Sequence, residues 1–428
     1  MSEQRKNQIK NLILLVLFVM MFPLTILAWL SYLDTSSVPE DSIFASLYQK
    51  VTYGVSGFEI RTGSTPAAMP TKIAIKNNGD MNGTQYNEAS IAVLYEDLYR
   101  LMGDALSASG DFESSNINDV KKSLNNDGIY FGYEGNMPVS LIANWLGNIC
   151  EDDISTDMLW LDMSGKLYIH TIDGYKSKQT NISSDKWDID STKLIVNKCS
   201  FASESEEFNI RPDTIIFEND INYIDTLNAT SPDFLDAQNG ESLTNLLSAF
   251  SYDLYVNRYE ENQGETMVFV EDYSTLHVSK DGNVMFSASA NEGGLDISSD
   301  SKLANDIRVQ MDMAVSLIKS VQNSIGDTSR AMLYSISDKE NIRIFTFVQC
   351  VGGIPVKTDS PFAQLVIQDN KLVKAKFSLK LFSQTGEKSP IIPSKQAAAA
   401  SNNELYRLTI MYSKSDNMQF NAQTVYTF

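Results

Sequence analysis

The strongest hydrophobic pattern in the chain is an unbroken one. Leu12 to Leu33 carries no ionisable side chain apart from the Tyr32 phenol. With ~1.5 Å of rise per residue, about 20 such residues cross a hydrocarbon core of ~30 Å. The run is longer than a secretory h-region, and Ala28-Trp29-Leu30-Ser31-Tyr32 is a poor cleavage site, so it reads as an uncleaved signal anchor. Trp29 and Tyr32 are placed as interface anchors. Thr25, Ala28 and Ser31 form a small-residue face suited to close helix packing. Arg5, Lys6 and Lys10 precede the run, while Asp34, Glu40 and Asp41 follow it. The positive-inside rule then sets residues 1–11 as a cytoplasmic tail and everything beyond the anchor outside the cell membrane. A tail that short holds no folded domain, so a cytoplasmic kinase or DNA-binding module is not expected.

Beyond the anchor the pattern switches between periods of 3.6 and 2. Apolar residues at Ile91, Leu94, Tyr95, Leu98, Met102 and Ala105 predict a helix over residues 87–107. Shorter helices are predicted over 117–124, 138–145 and 243–250, and the longest over 301–324. Alternation predicts strands at 72–75, 128–133, 158–163 and 166–171, the last two joined by Ser164-Gly165. Strands at 193–197 and 214–217 follow. Later strands are expected at 254–260, 266–270, 275–279 and 284–287, with Asp281-Gly282 closing a hairpin. More are expected at 331–336, 343–351, 363–368, 372–381, 405–412 and 419–426, with an alanine-rich helix over 394–401. The polar stretch 173–191 predicts no element. A helix followed by an antiparallel meander, seen twice, implies an α+β chain. The expected organisation is the anchor at 12–33, then an α+β domain over 34–212, a helix-plus-meander domain over 213–294 and a C-terminal domain over 295–428. Each of the last two is expected to be a helix packed on its own curled antiparallel sheet.

Charge narrows the partners. The 428 residues include 54 acidic and 34 basic ones, a net charge of −20. Such an excess opposes binding to nucleic acid or to anionic polymers. Cys150, Cys199 and Cys350 are odd in number and widely spaced, unlike a disulfide-stapled scaffold.

Candidate chemistry is sparse. His170 and His277 sit within predicted strands as polar-face residues, and neither has metal-ligand spacing to another His or Cys. Ser183-Ser-Asp-Lys186 and Ser299-Asp-Ser-Lys302 match S-x-x-K without the companion motifs of a penicillin-binding enzyme. Glu151, Asp152, Asp153 and Asp157 form the densest acidic cluster but lack the glycine and terminal glutamate of an EF-hand. No catalytic residue, cofactor or metal site is expected.

Four stretches carry a resemblance. They are the N-terminal anchor; Gly128-Ile-Tyr-Phe-Gly-Tyr133 with Met137-Pro-Val-Ser-Leu-Ile-Ala-Asn-Trp145; Met267 through Gly282; and Gly353-Ile-Pro-Val356 with Leu365 through Lys376. Together they resemble the YycH family, membrane-anchored regulators of the essential cell-wall sensor histidine kinase of Firmicutes. The last stretch is similar to the unit shared with YycI and, loosely, with PepSY-type domains. The resemblance implies a non-enzymatic protein that tunes a membrane sensor kinase of a two-component system through helix and ectodomain contacts, beside a YycI-like partner. The alternatives are a PepSY-like ligand-binding or inhibitory module and a wall-glycan hydrolase using two carboxylates.

Overall fold

A computed structural model describes residues 69–152, 154–182, 197–219, 222–289, 292–298, 304–415 and 418–427. The chain divides into Met1–Ile60 and Arg61–Phe428, and the described residues belong to the second unit. They are mostly sheet, with twenty-three strands and six α-helices.

The first sheet is wholly antiparallel. Its strands are β1 (Lys72–Asn77), β2 (Asp80–Gln85), β3 (Glu113–Ser114), β4 (Gly128–Pro138), β5 (Ser155–Asp162), β6 (Lys166–Thr171), β7 (Gly174–Gln179), β8 (Asn197–Phe201) and β9 (Ile215–Phe217). They pair in the order β9-β8-β2-β1-β4-β5-β6-β7-β3. Alternation sends Ile73, Ile129, Phe131, Leu159, Leu161, Leu167 and Ile169 into the main core. Ala74, Tyr130, Met158, Trp160 and Tyr168 enter a second core with Phe201 and Phe217.

Two helices cover the main-core face. In α1 (Glu88–Ser107) all six residues of the expected stripe are buried, and Asn87 caps the first turn by accepting from the Ser90 amide at 3.0 Å. The Lys178 ammonium, on β7, closes the other end of α1 by donating to the Leu106 and Ala108 carbonyls. α2 (Ile117–Leu124) contributes Val120 and Leu124 to the second core. α3 (Val139–Trp145) follows Pro138 and packs on α1.

The C-terminal strands build one continuous ladder. β10 (Tyr223–Thr230) and α4 (Gly240–Ala249) come first, then β11 (Asn257–Glu261), β12 (Thr266–Glu271), β13 (Ser274–Ser279), β14 (Asn283–Ala288) and β15 (Leu295–Asp296). α5 (Ile307–Ser324) leads to β16 (Arg330–Lys339), β17 (Ile342–Val351), β18 (Ile354–Lys357), β19 (Ala363–Gln368), β20 (Lys371–Ser378) and β21 (Leu381–Pro390). α6 (Ser394–Ala400), β22 (Arg407–Lys414) and β23 (Gln419–Thr427) complete the order. The ladder runs β11-β12-β13-β14-β20-β19-β17-β16, and a branch from the end of β17 runs β18-β22-β23-β10-β21.

This corrects the expected fold class. The two C-terminal helix-on-sheet units do not exist as separate bodies. β14 pairs with β20 across the expected boundary at 294, and α4 packs against α5 over one shared face. β10, a stretch for which the pattern predicts no element, pairs with β21, about 160 residues away in sequence. Local alternation marks a strand but carries no information about its distant partner. Among the described residues no helix is long and apolar enough to cross a membrane. Leu12–Leu33, with Thr25, Ala28, Trp29, Ser31 and Tyr32, lies outside the described residues.

Local chemistry explains several boundaries. α5 starts at Ile307 because Asp306 caps it, accepting from the Arg308 amide at 2.9 Å. β11 starts at Asn257 because Asp253 holds the preceding turn, accepting from the Tyr255 amide. The two sheets touch where Ser335 of β16 pairs in parallel with Asn136 of β4. There a Cβ on Gly135 would lie 1.8 Å from the Tyr334 carbonyl oxygen, so only glycine fits. Gly135→Ala is expected to lower unfolding free energy by at least ~1–3 kcal/mol. Gly240→Ala, with nothing within 4 Å, is the control. Urea midpoints that shift equally for both variants would overturn this account of the junction.

Candidate functional site

The densest chemistry among the described residues is a buried ion network. β1 supplies Lys72, β4 Glu134, β5 Asp157, β6 His170 and β22 Arg407, while the turn before β9 supplies Arg211 and Asp213. Arg211 grips Asp213 with two bonds, Nε to Oδ1 at 2.9 Å and Nη2 to Oδ2 at 2.8 Å. Its Nη1 donates to Asp157 Oδ2 at 2.6 Å. Arg407 lies 3.3 Å from the same oxygen and donates to the Tyr133 and Glu134 carbonyls. Glu134 Oε1 accepts from Tyr86 at 2.7 Å and Thr71 at 3.1 Å, and Oε2 accepts from Thr409 at 2.5 Å. Lys72 donates to the Leu408 carbonyl and stands 4.0 Å from Glu134. Tyr175 donates to Asp213 Oδ1 at 2.5 Å.

Three cations thus face three carboxylates, all buried. Burial alone would raise the carboxyl pKa values, but the guanidinium groups overcome it. Arg211 and Arg407 hold Asp157 far below the ordinary range, Arg211 lowers Asp213, and Lys72 with Arg407 lowers Glu134. At Lys72 burial prevails instead: desolvation outweighs Glu134 and brings its pKa down to about 8.

His170, 17% exposed, is the network's outlet to solvent. Its Nδ1 lies 3.1 Å from Asp157 Oδ1 and 3.0 Å from Arg211 Nη1. These two groups compete for one ring atom, which either donates to the carboxylate or accepts from the guanidinium. The carboxylates are thereby occupied by fixed donors, and the arrangement serves as an ionic clasp between strands.

Among the described residues the acidic cluster near Asp157 does not assemble. Asp157 turns into the clasp, while Asp152 accepts from the Cys150 thiol at 3.2 Å and Glu151 is exposed. Asp153 and both S-x-x-K matches lie outside the described residues. His277 stands on β13, 3.8 Å from Glu261. Cys150, Cys199 and Cys350 are free thiols. Arg211, Arg407, Glu134 and Lys72 were not legible as a group, being up to 335 residues apart. The one available signal is the Arg211-Pro-Asp213 spacing, which lets a guanidinium and a carboxylate fold back on each other.

A second feature is an open cleft of about 610 Å³ where α4 ends beside the β12–β13 turn. Phe250 and Phe286, stacked at 5.5 Å, floor it, and Glu271, Asp272 and Glu292 stand on its rim. Tyr255 and Tyr273 border it, 95% and 53% exposed.

No family model matches the chain, and no curated protein matches it. Among solved structures it is similar to an uncharacterized protein from Eubacterium rectale ATCC 33656, at 16% identity and a TM-score of 0.32. That match covers 55% of this chain and 85% of the other.

Asp157→Ala leaves two buried guanidinium groups without their shared carboxylate and is expected to cost ~3–5 kcal/mol. Because folding lowers the pKa values of Asp157, Asp213 and Glu134, their contribution is complete above the unfolded carboxyl pKa of ~4. It is lost as pH falls below that value. Lys72 contributes a second limb of the same sign at higher pH: its burial cost is full below pH 8 and fades as pH rises toward ~10.4, so stability rises there too. Denaturant midpoints from pH 2 to 10 check both limbs; a flat acid limb would overturn the clasp.

Proposed function

We propose that this chain is a membrane-tethered regulator of a sensor histidine kinase controlling cell-wall metabolism, acting by contact and without catalysis of its own. The tether is the apolar run Leu12–Leu33, the folded unit lies outside the cell, and a YycI-like protein is the expected co-partner. The observation that carries this reading is the polarity of that run, with Arg5, Lys6 and Lys10 before it and Asp34, Glu40 and Asp41 after it. The ion network supports it, because its carboxylates and guanidinium groups bind one another. Thr25, Ala28 and Ser31 offer the helix face on which a kinase segment packs closely.

Photo-crosslinkers at Val16, Met20 and Ala28 of the natively expressed chain are expected to trap a membrane kinase. Replacing Leu12–Leu33 by an unrelated apolar helix should abolish the response of a wall-gene reporter at unchanged protein level. Absence of any trapped kinase, together with an unchanged reporter, would sink the proposal.

The cleft beside Tyr255 and Tyr273 favours a second reading, an extracytoplasmic ligand-binding or inhibitory module of PepSY type. Native mass spectrometry of the purified chain is expected under that reading to retain a ligand that Tyr255→Ala with Tyr273→Ala releases.

A further inference from the structure

Several strand edges among the described residues are blunted. β3 has two residues and β9 three. β21 contains Gly386 at φ +81°, ends at Pro390, and loses register with β10 between Asp225 and Leu227. β11 differs. Asn257 through Glu261 pair with Val270 through Thr266 without a break, and Asn257 to Glu260 are exposed. Among the described residues no strand pairs with its other side. An unbroken edge with free backbone groups is a template for another strand.

The sequence of this edge selects the occupant. In an antiparallel pair, directly opposed residues share a face with Cβ atoms ~4.5–5.5 Å apart. Asn257-Arg258-Tyr259-Glu260-Glu261 is self-complementary about its centre. A twofold axis at Tyr259 sets Arg258 against the partner's Glu260, and Glu260 against the partner's Arg258. It also sets Asn257 against the partner's Glu261 and stacks the central tyrosine, 51% exposed, on its own copy. No like charges oppose each other in this register. Among the described residues no cation lies within ion-pair distance of Glu260, and Arg258 has no carboxylate within that distance. Both are therefore available for an external partner.

We propose that β11 is the interface of a homodimer, in which a second copy adds its own β11 antiparallel about a dyad at Tyr259. Five residues a side bury less than the ~1,200 Å² of a stable standard interface, so the dimer is weak and concentration-dependent. It closes as a twofold pair because the same patch serves both copies.

Disulfide trapping of the full-length chain in its membrane tests the register. Opposed Cα atoms ~4.5–5.5 Å apart fall within the disulfide range. Cys199 and Cys350 are buried, and Cys150 is replaced by serine. Tyr259→Cys should then give an oxidised dimer. Asn257→Cys alone should not, because two copies of that position lie ~14 Å out of register. Mixed with Glu261→Cys it should trap efficiently. In the Tyr259→Cys chain, Arg258→Glu should lower the yield at least severalfold, and adding Glu260→Arg should restore it. Sedimentation of the detergent-solubilised wild-type chain should show a reversible dimer that Arg258→Glu weakens. A monomer at all concentrations, equal trapping at Asn257→Cys and Tyr259→Cys, indifference to the charge swap, or capture of a different protein at Tyr259→Cys would each overturn the proposal.

Discussion

Six charges buried in one place constrain everything around them. Lys72, Glu134, Asp157, Arg211, Asp213 and Arg407 come from sites spread along most of the described sequence, and each is buried. An isolated buried charge is far more costly than a missing hydrogen bond, so none of the six is tolerable until its partners arrive. The first sheet, the Arg211–Asp213 turn and β22 must therefore close together. Arg407 has a second task. Between Gly132 and Met137 the pairing of β4 with β5 is interrupted, which leaves backbone groups without a ladder partner. The Arg407 guanidinium takes the Tyr133 and Glu134 carbonyls there, so a C-terminal strand supplies bonds that the N-terminal sheet lacks.

What the sequence reveals follows from range. The α1 stripe from Ile91 to Ala105 is a local pattern, and every residue in it is buried as its period predicts. The meander β11 to β14 is joined by short turns, so each strand pairs with the next, and Asp281-Gly282 marks one of them. Two-residue loops at Gly352-Gly353 and Asp369-Asn370 have positive φ at both positions, as tight hairpins require. No pattern of its own marks β18, because its four residues lie so close to the first of these turns that they read as part of the bend.

β7 shows the limit from the other side. Its sequence, Gly-Tyr-Lys-Ser-Lys-Gln, carries no apolar alternation, yet Ser177 and Lys178 are buried. Lys178 is buried because its ammonium caps α1, and Tyr175 because its hydroxyl reaches Asp213. Polar residues made interior by tertiary bonds are invisible to a hydrophobicity pattern. The same holds for the clasp: His170 reads as a surface strand residue, Asp157 as one of a crowd of carboxylates, and Arg211 as the exit from a domain. Only their convergence gives them a role. The merged C-terminal sheet is hidden for a related reason, since β14–β20 and β10–β21 contacts close loops of many tens of residues.

The balance inside the clasp also locates the chain's charge. Three cations cancel three carboxylates, so the net charge of −20 lies wholly outside it. Two copies of such a protein repel at long range, and salt with a Debye length of ~8 Å at physiological strength removes most of that repulsion. Contacts between copies then depend on local pattern rather than on net charge. β11 places a cation and an anion symmetrically about one tyrosine, whereas the cleft rim beside it presents carboxylates alone. The two neighbouring surfaces therefore differ in what they select: the edge complements itself, and the rim complements only a cation.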